Sequence, residues 1–406
     1  MLLIYNLFLR IYLILILIFS FFNKKAKKWI SGRKNDNVTH TEASIWFHFA
    51  SLGEFEQGRP VLEKMRLLYP SQTIVITFFS PSGYEIRKNT PLADHVYYLP
   101  LDTTKNATEF INNINPTLAV FTKYEYWYHY FNELNKRQIP LYIISGIFRP
   151  KQIFFKWYGG LHRQMLGFVT RFFVQDEQSE ALLKTVGVNN VTVSGDTRFD
   201  RVWENAQSPK DLAIIEKFKA GKPVFIGGST WPKDEELIAT LIPLYPDWKF
   251  IVAPHEIGEA KIQTLLKLMP PGKAIRFSQI DDSSALHDCS VLIIDNIGML
   301  SSLYQYGEIA FIGGGFGAGI HNILEAAAFG LPVIFGPRYQ KFKEVRDVVE
   351  KQLGFSVINE EELREVANIL IADEAYRDEV GKKIQAYVKA NTGATQKFME
   401  EIRQIS

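Results

Sequence analysis

Residues 313–337 read GGGFGAGIHNILEAAAFGLPVIFGP, and their pattern decides the fold class. The apolar run 309–312 reads as a buried strand, five of the seven residues from Gly313 to Gly319 are glycine, and an Ala-rich segment of helical character follows. Strand, flexible loop and helix start make the core of a βα unit. Gly330 ends the helix, Pro332 blocks its continuation, and Val333, Ile334 and Phe335 supply the next strand. Glycines such as Gly314 and Gly315 let the main chain come close to a ligand, and the unpaired N–H groups of a first helical turn favour an anionic or polar guest, for instance a sugar nucleotide. His321, Asn322 and Glu325 fall in that predicted first turn, with Asn322 and Glu325 on one face. A purely structural cap needs only one of them, so cap and ligand site stand side by side as readings.

The same alternation extends in both directions. Short apolar runs at 45–50, 73–79, 96–99, 118–121, 141–144, 172–174 and 191–193 are separated by stretches with helical spacing, such as Val61, Leu62, Met65 and Leu68. The pattern pauses over the polar stretch 203–223 and resumes with strands at 224–226, 250–252, 274–277, 291–294, 309–312 and 333–335. Repeated βα units of this kind predict α/β architecture with mostly parallel sheets covered on both faces. We divide the chain into an N-terminal segment (1–30), a first doubly wound, Rossmann-like domain (31–205) and a second (206–406).

Residues 1–22 are almost wholly apolar, with Arg10 as the one charge, and about 20 such residues suffice to cross a bilayer. With Arg10 inside it, the segment either spans with that side chain snorkelling or lies in the interface. Lys24, Lys25, Lys27 and Lys28 follow directly, an order opposite to that of a cleaved signal peptide; positive charge there keeps the downstream chain cytoplasmic and near anionic headgroups. The expectation is a membrane-anchored enzyme facing the cytosol. The 46 basic and 44 acidic residues leave a net charge of +2, which argues against nucleic acid as a partner. The single cysteine, Cys289, excludes an intramolecular disulfide and reads as a small core residue. A basic, aromatic stretch at 149–158 suits either membrane headgroups or inward packing of its rings.

In doubly wound domains chemistry collects in loops beyond the carboxyl ends of strands. After the first strand comes Ser51-Leu52-Gly53-Glu54, which matches a capping box and equally presents a carboxylate. Glu125 stands beyond the fourth strand, and Arg198 lies in Gly195-Asp196-Thr197-Arg198, where a structural ion pair competes with a functional role. The second half adds Gly228-Ser229-Thr230 and Asp295-Asn296-Ile297-Gly298-Met299.

Together with 313–327, these pieces resemble, in order and over nearly the whole chain, the Kdo transferases, the 3-deoxy-D-manno-octulosonic acid transferases of Gram-negative bacteria. The resemblance implies a GT-B type fold of two Rossmann-like domains with an apolar N-terminal anchor helix, CMP-Kdo as donor and a lipid A precursor as acceptor. It implies Glu54 as proton acceptor, Glu125 and Arg198 as transition-state stabilisers, and Pro254, His255, Ile297, Gly298, Met299, Asn322, Ile323, Leu324 and Glu325 as CMP-binding residues. Ser229, Thr230, Gly314, Gly315 and His321 are further donor contacts on this reading. Three positions depart from the family pattern: Ala253-Pro254-His255 lacks the frequent arginine, Met299 replaces a frequent glutamate, and Trp231 stands where histidine is usual. No Asp-x-Asp or His/Cys cluster has metal-ligand spacing, so neither metal nor other cofactor is expected. Two alternatives from other classes are a nucleotide-sugar epimerase of the same architecture and a noncatalytic membrane scaffold.

Overall fold

The computed structural model describes residues 1–35, 38–281 and 284–403. The chain forms two compact units, one of Met1–Asp200 together with the C-terminal residues from Asn391, the other of Arg201–Ala390. Each is built on a seven-stranded, wholly parallel sheet.

In the first unit the strands are β1 (Ser44–Phe49), β2 (Thr73–Phe78), β3 (His95–Tyr98), β4 (Pro116–Thr122), β5 (Leu141–Gly146), β6 (Arg171–Val174) and β7 (Val191–Val193), in the order β3-β2-β1-β4-β5-β6-β7. All six residues of β1 are buried, as expected of a central strand covered on both faces. Ile45, Phe47 and Phe49 pack into one core, and Trp46 into the opposite one. Strand order reverses between β1 and β4, so the loops leaving these two strands flank the switch point at which doubly wound sheets bind ligands.

The second unit has β8 (Val224–Thr230), β9 (Lys249–Pro254), β10 (Ala274–Arg276), β11 (Val291–Ile293), β12 (Ile309–Ile312), β13 (Val333–Phe335) and β14 (Gly354–Ser356), ordered β10-β11-β9-β8-β12-β13-β14. Here the reversal falls between β8 and β12. Thirteen of the strands coincide with the predicted apolar runs; β14 was not expected, because Gly354-Phe355-Ser356 is too short and mixed to stand out.

Eight helices matter for the site and its flanks: α1 (Leu2–Phe19), α2 (Lys24–Asn35), α3 (Leu52–Leu68), α4 (Thr197–Gln207), α5 (Ala213–Lys219), α6 (Pro232–Leu241), α7 (Leu324–Ala328) and α8 (Ala394–Arg403). The polar pause at 203–223 is therefore largely helical, and the boundary between units falls inside α4 rather than in a linker near 205. The sequence division placed all of 206–406 in the second domain, whereas α8 belongs to the first unit. Phe398, Met399 and Ile402 bury in the core beside β1, and the Asp200 carboxylate accepts from the backbone N–H of Gly393 and of Thr395 at the start of α8.

Helix α1 lies along the first unit by one side. Leu9 is buried, Leu2 and Tyr5 pack on the core, the Tyr5 hydroxyl donates to Asp102, and Asn6 pairs with His129 at 2.7 Å. Burial pushes the Asp102 carboxyl up to about 6, against the hydrogen bonds from Tyr5 and from the backbone of His129 and Tyr130. The opposite side of α1 is apolar and exposed, including Leu3, Ile4, Leu7 and Phe8. Stretch 149–158 holds a single 3₁₀ turn, Ile153–Phe155, in which Phe154 and Phe155 pack inward, while Trp157 is 91% exposed.

Candidate functional site

At the switch point of the first sheet, β1 runs through Ala50 into Ser51, the N-cap of α3, whose hydroxyl oxygen accepts from the Gly53 N–H at 3.3 Å. The same hydroxyl donates to the Glu54 carboxylate. A reciprocal capping box would send that carboxylate to a backbone N–H. Glu54 instead turns to a side chain, and among the described residues Ser51 is its only hydrogen-bond partner. The half-buried carboxylate thus keeps acceptor capacity at the mouth of the switch point.

Glu125 stands beyond β4, its side chain 15% exposed. Its Oε2 lies 3.3 Å from Nε2 of His48 and accepts from Trp127 Nε1 at 3.0 Å. His48 is fully buried in β1, and its Nδ1 is 2.8 Å from the Thr77 hydroxyl, which also accepts from Trp46 Nε1 at 2.9 Å. The Glu125 carboxylate can only accept, which assigns an N–H to Nε2 of His48; the Thr77 hydroxyl has the Phe47 carbonyl, at 3.4 Å, as a further acceptor. Sequence reading missed His48. The signal was a polar residue on the even-numbered face of an otherwise apolar strand.

Arg198, in the first turn of α4, donates to Asp196 Oδ2 from Nε at 2.9 Å and from Nη2 at 2.7 Å. Asp196 also accepts from Gln57 at 2.8 Å and from the Arg198 backbone at 2.9 Å. Burial alone would raise the Asp196 carboxyl; the charge and hydrogen bonds of Arg198, with help from Lys123, hold it below the usual range. The ion-pair reading of Arg198 is therefore realised, with the side chain still 25% exposed. Burial raises the Tyr124 phenol, with smaller opposing influences from Arg149 and Arg198 and reinforcing ones from Glu54 and Asp196. Lys123, directly after β4, adopts φ 62°, a left-handed conformation that is strained for a side-chain-bearing residue and recurs at functional loops.

The second switch point is built differently. Strand β8 ends in Gly227-Gly228-Ser229-Thr230, with Ser229 at φ 51° in a break of register against β9. A Cβ at Gly313 would lie 2.2 Å from the Ser229 carbonyl oxygen, and one at Gly315 would lie 2.6 Å from Gly336 N. These two glycines thus serve the close approach of the protein's own strands, whereas Gly314, at φ 91°, makes the turn. Asp234 clasps the loop: its Oδ2 accepts from Gly314 N at 2.9 Å and from Trp231 N at 2.8 Å, while Oδ1 is buried with no partner among the described residues. Burial raises the Asp234 carboxyl despite those two hydrogen bonds.

The predicted long helix after the glycines shrinks to the five residues of α7, so His321 and Asn322 precede the helix instead of sitting in its first turn. Asn322 Oδ1 accepts from Leu324 N at 3.2 Å and its Nδ2 donates to Glu325 at 3.3 Å, with Ile323 at the N-cap. His321 stacks on His255 with ring centroids 4.5 Å apart, His255 stacks on Trp231 at 4.8 Å, and Trp231 Nε1 donates to His321 Nε2 at 3.0 Å. That hydrogen bond assigns the His321 proton to Nδ1. Burial, and after it the charge of His255, push His321 down to about 4, so the imidazole is neutral at physiological pH. Pro254 closes β9 beside β8, and His255 N donates to Thr230 O at 2.9 Å. Beyond β11, Gly298 takes φ 96°, Met299 Sδ accepts from Asn296, and Ile297 is 87% exposed, an uncovered apolar side chain at a strand end. Among the described residues no group of three or more His, Cys, Asp or Glu is placed to hold a metal ion.

Residues 22–201 match the profile of the family described as 3-Deoxy-D-manno-octulosonic-acid transferase (kdotransferase). A 3-deoxy-D-manno-octulosonic acid transferase of Haemophilus influenzae is 26% identical over 373 residues, which cover 88% of this chain and 86% of the relative. A bifunctional glycosyltransferase/methyltransferase of Fusobacterium nucleatum is 26% identical over 354 residues, covering 84% of this chain; the chain spans about half (55%) of that relative's length. The crystal structure of UDP-GlcNAc 2-epimerase from Neisseria meningitidis bound to UDP-GlcNAc superposes with a TM-score of 0.61 at 15% identity, over 89% of this chain and 100% of the other. That likeness is one of fold, and with the two parallel sheets it establishes the GT-B type architecture.

Proposed function

We propose that this chain, which belongs to the Kdo transferase family of glycosyltransferases, moves Kdo from CMP-Kdo to a lipid A precursor with inversion at the anomeric carbon. The observation that carries the reading is the placement of both candidate loop sets at the reversal points of their sheets: 51–54 and 123–127 at β1 and β4, 228–231 and 313–325 at β8 and β12. Strand-end crevices at such reversals are where doubly wound sheets bind ligands.

In this reading an acceptor hydroxyl attacks the anomeric carbon of Kdo as the bond to the CMP phosphate breaks. Glu54 takes the hydroxyl proton, a general-base role for which it has spare acceptor capacity. Glu125, fixed by His48 and Trp127, places a second negative charge that favours the oxocarbenium character of the sugar. Arg198 faces developing charge as the partner of Asp196 and not as an isolated cation. In the second unit, Ser229 meets the phosphate, and Ile297, Pro254 and His255 contact the nucleoside; Thr230, 1% exposed with its hydroxyl donating to Glu235, supports the loop instead. A neutral His321 offers Nδ1–H as a donor without adding charge. Helix α1 and the lysines behind it hold the enzyme at the cytoplasmic face of the inner membrane.

The test is incubation of the purified chain with CMP-Kdo and a tetraacylated lipid A precursor, followed by mass spectrometry of the lipid. A mass gain of one or more Kdo residues is expected. Release of free sugar from the donor without acceptor would instead favour an epimerase-like activity, and no turnover with no CMP binding would favour a scaffold.

A further inference from the structure

Helices α1 and α2 and the turn after β2 enclose a groove of about 410 Å³, within the ~300–1,000 Å³ usual for ligand sites. Tyr12, Ile16 and Phe19 of α1 form one wall, and Trp29 of α2 and Phe79 form the other. The groove opens at Phe19 onto the exposed apolar side of α1, and Lys25 stands on its rim, next to Lys24, Lys27 and Lys28. Its aromatic wall continues inward. Trp29 meets Phe79 edge-on at 5.8 Å, Phe79 lies 4.9 Å from Trp127, and Trp127 donates to Glu125. One unbroken ring series thus joins the lipid-facing helix to the candidate catalytic carboxylate. Trp29 itself is 5% exposed, and its Nε1–H is buried with no acceptor among the described residues.

We propose that this groove seats one acyl chain of the acceptor lipid, with Lys25 meeting the phosphorylated headgroup at the rim. The inference rests on the lipid-acceptor reading above and adds to it a site for the chain. An apolar tail matches the walls, and an anionic headgroup matches Lys25 with Lys24 and Lys27, while Lys28 is paired with Glu85 at 3.2 Å.

Ile16→Trp fills the groove, and Leu7→Trp makes the same change on the exposed side of α1 as a control for membrane partition. With the tetraacylated acceptor, Ile16→Trp should raise KM at least ~10-fold more than it does with the same disaccharide phosphate stripped of its acyl chains, because the loss of even two buried methylenes costs about that factor. Leu7→Trp should show no such split. Equal changes on both acceptors, or the same split in Leu7→Trp, would overturn the groove. A second readout does not need turnover: a diazirine-tailed alkyl phosphate should label residues 12–29 in the unaltered chain and in Leu7→Trp, and lose that label in Ile16→Trp. Labelling spread along the exposed side of α1 in all three would mean that the segment is an anchor only. Correct labelling without Kdo transfer would sink the transferase reading while leaving the groove in place.

Discussion

The two sheets share a topology and solve different chemical problems. At the first reversal point the working groups are charged side chains held by other side chains: Glu54 on Ser51, Glu125 between His48 and Trp127, Arg198 on Asp196. At the second they are main chain, glycines and stacked rings, with the carboxylates engaged inside the loop: Asp234 by Gly314 and Trp231, Glu235 by Thr230, Glu325 by Asn322. The first arrangement suits proton movement and charge stabilisation, which need defined side-chain positions. The second suits holding a nucleotide, for which close main-chain approach and stacked rings matter more than open charged side chains. One architecture therefore yields two kinds of site according to whether the carboxylates at the strand ends keep acceptor capacity, as Glu54 does, or are engaged inside the loop, as Asp234 and Glu235 are.

The sharpest way to break this contrast is Glu54→Gln. Turnover should fall by about two to four orders of magnitude while CMP affinity stays within about twofold. Retention of most of the rate would return Glu54 to the role of a helix-start residue. Next in size is His48→Phe, which removes the buried donor to Glu125. A lost hydrogen bond to a charged group is worth about 1.5–3 kcal/mol, so kcat should drop about 10- to 100-fold with little change in CMP binding; an unchanged kcat would detach Glu125 from the mechanism.

The second sheet is probed by Trp231→Ala, which uncovers His321. In the unaltered chain His321 is held down to about 4, so the folded state binds this proton more weakly than the unfolded chain does near 6.5. Stability associated with the neutral imidazole is then complete above 6.5 and is lost as pH falls toward 4. The variant should titrate closer to 6.5 by histidine NMR and lose less stability over that window. Identical titration in both proteins would remove Trp231 from control of the ring. The smallest expected effect is that of chelator: transfer should continue in EDTA, and a magnesium-dependent recovery from complete loss would contradict the division of labour, since phosphate charge would then be carried by a metal.

Much of this was legible in the residues. The central strands announced themselves because fully buried parallel strands are continuous apolar runs, whereas the edge strands β7 and β10 are half-buried; Glu54 and Glu125 stood out because carboxylates just beyond such runs interrupt the pattern. What escaped was whatever depended on tertiary partners. The helix predicted from Ala326, Ala327 and Ala328 is cut to five residues because the loop ahead of it is committed elsewhere, with His321 N donating to Gly313 O. The apolar stripe of α8 gives no hint of which sheet it joins. Its return to the first unit is specified by Asp200, some 190 residues upstream, through two backbone hydrogen bonds. Likewise the glycines of 313–315 read as ligand space, whereas at all three the place of a Cβ is taken by the protein's own backbone.

The most direct measurement is hydrogen–deuterium exchange of the full chain with and without CMP. The account predicts slowed exchange at 228–231, 254–256, 295–299 and 313–325, with 51–54 and 123–127 unchanged. Protection concentrated at 51–54 and 123–127, or none at 313–325, would contradict it.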